Sequence, residues 1–162
     1  MTPFLLERYL IDSIAVISNE QFDPSKKTHT GDTQVNLSVA RHKNDTFRYR
    51  LVLEAQMRPT KGKESNFFPY HIGVKGRGYF LFKELVPYKT AEHILRLNGA
   101  AILYGLLRGQ IAQITAQSAH GQFLLPPANF VEAEKHSGSE SIVTRAKNSK
   151  ELSSRKTAPK KK

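Results

Sequence analysis

The chain has no cysteine, and it is short of acid: 14 Asp and Glu face 25 Lys and Arg over 162 residues. The first absence excludes a disulfide framework, a thiolate zinc site and a cysteine nucleophile. A long apolar run is missing too. A membrane helix needs about 20 apolar residues, and the best candidate, around Ala100–Leu107, is cut off by Arg108, Gln110, Gln113 and Gln117. Met1 to Tyr9 contains no basic region followed by an uncharged apolar stretch, so it does not read as a signal peptide, and a cytoplasmic protein is expected. His29, His42, His71, His93, His120 and His136 are scattered, with no pair at metal-ligand spacing. Gly76-Arg77-Gly78 lacks the Lys-Ser/Thr of a phosphate loop and opens no helix; it reads as a strand bulge that shifts the face register. The expectation is a protein with no catalytic residues, no metal and no cofactor.

The net charge is +11, with a pI near 10.0. From Glu134 to Lys162 nine Lys/Arg face three Glu, a net of +6, which leaves +5 on residues 1–133. Large apolar residues nearly vanish in the same segment. The chain therefore divides into a domain over 1–133 and a basic disordered tail over 134–162. Such charge favours a polyanion or an acidic protein partner.

What is present is periodicity. Val35, Leu37 and Val39 alternate with polar residues, and so do Tyr49, Leu51, Leu53, Ala55 and Met57, with Arg48, Arg50, Glu54 and Gln56 between them. Spacing of two marks strands with one dry and one wet face, here an antiparallel hairpin turning at His42–Asp45. Phe68, Tyr70, Ile72 and Val74 open a further strand that runs to Phe82. Phe4 to Ile17 fits both a helix and a strand; a strand is favoured over its second half, where Ile14-Ala-Val-Ile17 is rich in β-branched residues.

A long helix follows from Ala91, with Thr90 as its candidate N-cap and Gly121 as its stop. Ala100, Leu103, Leu107, Ile111 and Ile114 recur at three- and four-residue spacing, widened by Leu95, Ile102 and Leu106. A third face is nearly bare: Ala101, Gly105 and Gly109 repeat every four residues, with Ala112 beyond. Each glycine costs a helix interior roughly 1 kcal/mol relative to alanine. A smooth face with that cost implies close approach of another backbone, hence a subunit interface. The fold class expected is α+β, a four-stranded antiparallel sheet followed by a long helix.

Three stretches together resemble the SecB family of export chaperones and their SecB-like relatives. They are Val74-Lys-Gly-Arg-Gly-Tyr-Phe-Leu-Phe82, the helix around Ile102-Leu-Tyr-Gly-Leu-Leu-Arg108, and Gly121-Gln-Phe-Leu-Leu-Pro-Pro-Ala-Asn-Phe130. The resemblance implies a homotetramer, a dimer of dimers with long helices packed between two sheets. It implies an ATP-independent holdase that wraps unfolded client polypeptides around apolar grooves. Phe67, Phe68, Tyr70, Phe123, Leu124, Leu125 and Phe130 are the groove candidates it suggests here. Val35, Leu37 and Val39 also qualify, although core is the better reading for those three.

Two departures carry information. The family continues after Phe130 into a second amphipathic helix, whereas Val131-Glu-Ala-Glu-Lys135 gives way to polar sequence. Typical export members are acidic and dock the basic tail of the translocase motor SecA, which a basic domain bearing Arg48 and Arg50 opposes electrostatically. The expected client is accordingly a dedicated antitoxin ahead of a general preprotein. Outside the family stand a nucleic-acid-binding module acting through the basic tail and a non-catalytic adaptor subunit.

Overall fold

Apolar–polar alternation resolves into four long strands, β1 (Phe4–Ser18), β2 (Asp32–Arg41), β3 (Arg48–Arg58) and β4 (Tyr70–Phe82). The structure, a computed structural model, describes residues 4–25, 32–58, 68–131 and 141–145. All four strands pair antiparallel in the order β1-β4-β3-β2. A short strand β5 (Ser141–Arg145) pairs antiparallel with the outer edge of β2. β5 lies inside the segment read as tail; residues 132–140 and 146–162 are outside the described residues.

Two sequence expectations change at the sheet. β1 is a strand over its whole length, not its second half alone. Its pairing with β4 slips between Leu6 and Arg8 and again between Ile11 and Ser13. Each slip resets which residues face inward, so Phe4, Leu6, Tyr9, Ile14 and Val16 reach the core without a regular period. In β4, by contrast, Gly76 and Gly78 make no bulge: its pairing with β3 is unbroken and its burial alternates strictly from Tyr70 to Phe82. Those glycines make room. A Cβ on Gly76 would sit 2.9 Å from a methyl of Leu107, and one on Gly78 would sit 2.8 Å from the Phe80 ring.

The helix is α1 (Tyr88–Ile94), a π-helical turn (Leu95–Gly99) and α2 (Ala100–Thr115), with right-handed helical backbone at both joints. It starts before Thr90, which therefore caps nothing. Pro87 (φ −52°) supplies the start, and its carbonyl accepts the Ala91 N–H at 3.0 Å. The run crosses the dry face of the sheet, α1 over β2, the π turn over β2 and β3, and α2 over β3, β4 and β1. Ala100, Leu103, Tyr104, Leu107, Ile111 and Thr115 form its buried stripe against Leu51, Leu53, Phe80 and Phe82. Ile114, placed on that stripe by spacing, is 40% exposed; the line continues through Thr115.

Candidate functional site

The stretch after α2 lies back along the helix, held by side chains spaced four and seven residues apart on it. Tyr104 donates from its hydroxyl to the Pro126 carbonyl at 2.7 Å, and Arg108 Nε donates to the Leu125 carbonyl at 2.7 Å. The Thr115 hydroxyl accepts the Phe123 N–H at 2.8 Å and donates to the Ile111 carbonyl at 2.8 Å. Burial pushes the Tyr104 phenol up to about 12, against a weaker pull from Arg108. The strand side adds a fourth tie. Tyr70 donates to the Gly121 carbonyl at 2.8 Å and accepts the His120 N–H at 2.9 Å. Gly121 has φ +77°, a conformation that glycine adopts without strain, and it turns the chain back here rather than ending the helix, which stops at Thr115.

These ties sort the expected groove residues. Phe68, Tyr70, Leu125 and Phe130, expected in a client groove, are buried in this chain's own core. Their physical role is fastening. Tyr70 bonds the returning loop and stacks edge-on with Phe123, Phe130 packs edge-on against Tyr104, and the Phe68 carbonyl accepts from Asn19 Nδ2 at 2.8 Å. Leu124 is 56% exposed and Phe123 half-buried, so these two are the expected groove residues of the loop that reach solvent. Phe67 lies outside the described residues. Val35 is core; Leu37 and Val39 are half-buried against it.

The outer face of α2 is as bare as its spacing suggests. Ala101, Gly105 and Gly109 are exposed, and a Cβ built on either glycine meets nothing within 4 Å. Ile102, 43% exposed, lies beside them. Ala112, on the same face by spacing, is buried within this chain and so is less open than the other three. The residues missed from sequence are the fasteners Tyr104, Arg108 and Thr115. The signal was their shared line on α2, of which only Arg108 was noticed, as an interruption of an apolar run.

The polar face of the sheet is a charge network. Arg48 bonds Glu7 (3.1 Å, β1) and Asp45 (2.8 Å, in the β2–β3 turn), which keeps its guanidinium above the usual range, Glu7 being the larger cause. Arg77 pairs with Asp12 and holds that carboxyl below the usual carboxylate range. Among the described residues no group of three His, Asp or Glu side chains gathers to hold a metal ion, and no helix is long and apolar enough to cross a membrane.

Four antiparallel strands, a long helix laid across one face and a return loop tied along it define a sheet-and-helix scaffold that leaves Ile102 and Leu124 exposed. The chain belongs to the SecB family: the family model described as preprotein translocase subunit SecB matches residues 9–136. Among solved structures it is similar to the SecB-like chaperone of Mycobacterium tuberculosis in complex with a ChAD peptide from the HigA1 antitoxin. That match has 8% identity, covers 78% of this chain and 91% of that one, and has a TM-score of 0.61. A protein of unknown function from Streptococcus agalactiae matches at 11% identity over 78% of this chain and 98% of that one, with a TM-score of 0.48. No curated protein matches the chain by sequence.

Proposed function

We propose that this protein is a cytoplasmic, ATP-independent holdase chaperone, and that it is not an enzyme. Membership of the SecB family over residues 9–136 is the observation that carries this reading. A disordered client loses chain entropy when it is held, so affinity has to come from extended apolar surface. Leu124 and Phe123 on the tied loop are the first contacts we assign to the client, since the loop offers them on a backbone already fixed at four points. The bare face of Ala101, Gly105 and Gly109, flanked by exposed Ile102, is assigned to helix-to-helix packing in a homotetramer.

A dedicated antitoxin is favoured as client over a general preprotein. The SecB-like chaperone of M. tuberculosis was solved with an antitoxin peptide. The sheet of the present chain carries Arg8, Arg48, Arg50, Lys75 and Arg77 on its polar face, which disfavours docking of a basic partner such as the SecA tail. The test is suppression of aggregation of an unfolded polypeptide without nucleotide, comparing the protein with Leu124→Asp. Suppression by the parent and its loss in the variant support the reading; aggregation unchanged by the parent contradicts it.

A further inference from the structure

On the far side of the sheet from α2, the β2–β3 turn and the polar faces of β3 and β4 border a cleft of about 490 Å³. Arg41, Lys43, Arg48, Arg50, Tyr79 and Glu7 are in its lining. Sheet register brings these residues together from distant parts of the chain. Ala40 lies opposite Arg50, Arg50 opposite Tyr79, and Tyr79 opposite Arg8, so one row crosses all four strands. The Arg8 guanidinium lies over the Tyr79 ring, 4.5 Å from its centroid.

The charges in this cleft do not balance. Arg48 is neutralised by Glu7 and Asp45. Arg41, Lys43 and Arg50 are exposed and form no ion pair among the described residues. Like charges held together raise the local potential, and a cleft focuses it. Carboxylates would relieve it, because a guanidinium takes a carboxylate through two parallel bonds and the ammonium adds a third donor set.

The geometry points to a docking site for a short acidic segment of a partner polypeptide, its Asp or Glu side chains received by Lys43 and Arg50. A volume of about 490 Å³ falls in the range of roughly 300–1,000 Å³ typical of ligand clefts, and so fits a few side chains rather than a duplex. A single-stranded nucleic acid needs successive aromatic platforms along a cationic track. Here Tyr79 is the one aromatic on the polar face of the cleft and Arg8 already covers it, while Tyr49 is in the core. The site is on the opposite face from the loop and the bare helix face, so it stands or falls separately from the holdase reading.

The test is fluorescence anisotropy of a labelled hexaglutamate peptide titrated with the full chain at low salt, beside hexaglutamine and an oligothymidylate of equal length. Hexaglutamate is expected to bind, hexaglutamine not, and the affinity to fall as salt shortens the screening length. Arg50→Glu and Lys43→Glu should each weaken binding about tenfold or more, with circular dichroism unchanged. Neutralising Lys160, Lys161 and Lys162 to Gln should leave it intact. The proposal is overturned if hexaglutamate does not bind at low salt. Binding that ignores Arg50→Glu and Lys43→Glu, or that vanishes with the tail lysines, overturns it too. So does tighter binding of oligothymidylate that the cleft variants abolish.

Discussion

Two faces of α2, one of large apolar side chains and one of small residues, meet opposite fates. One is filled: Leu103, Leu107 and Ile111 are fully buried, and Leu107 enters the space left by Gly76. The other is empty: Gly105 and Gly109 have open space where a side chain would stand, and Ile102 beside them faces solvent. A single chain uses the first face to fold, and the second is the one we assign to packing against another copy of the chain. The comparison separates what the helix spends on folding from what it keeps at the surface.

The largest effect is expected on the filled face. Leu107→Ala should lower unfolding free energy by about 2–5 kcal/mol in urea titration, because the truncation leaves a cavity above Gly76. A loss below about 1 kcal/mol would mean that this face is not the core. Next comes the tie between helix and loop. Tyr104→Phe deletes the bond to Pro126 and should cost about 1 kcal/mol. The same variant should change the alkaline limb. The folded phenol titrates near 12, above its ordinary value of 10.0, so its contribution is complete below pH 10 and is lost as pH rises toward 12. The variant should flatten stability over that window.

On the empty face the sign reverses. Gly105→Leu meets nothing within 4 Å and removes a helix-interior glycine, so the isolated fold should gain roughly 0.5–1 kcal/mol. Its native mass by light scattering should nevertheless fall, because the bulky side chain blocks close helix approach. A variant as large as the parent assembly would remove this face from the interface. The smallest effect belongs to the polar face of the sheet. Arg77 holds the Asp12 carboxyl below its ordinary value of 3.8, so that stabilisation is present above that pH and is lost as pH falls through the lower folded value. Asp12→Asn should flatten the acid limb there and change little at neutral pH.

Strands β2, β3 and β4 were legible because each has one wet face, so that burial repeats every second residue. β1 was half legible, since its two slips against β4 erase the period that reveals a strand. β5 was not legible: Ser141–Arg145 adds to the edge of β2 through its backbone, and backbone pairing leaves no apolar pattern behind. The bare helix face could be read directly, because small residues at spacing four need no partner to be seen. The loop residues could not be sorted from sequence. Leu124 and Leu125 are adjacent and chemically identical, and which is turned inward follows from how the loop is tied to α2 and β4 at distant residues. The basic cleft was hidden for another reason. Arg50 and Tyr79 are far apart in the chain and meet only through strand register.

The central claim is that the surplus apolar surface serves first assembly and then capture of an unfolded chain. Light-scattering mass of the protein alone, then with an unfolded apolar polypeptide, tests it most directly at moderate and at high salt. The account predicts a tetramer that shifts to a soluble client complex and persists as salt rises, since apolar capture survives charge screening. A monomer that leaves the polypeptide to aggregate, or a complex that dissolves as salt rises, would contradict it.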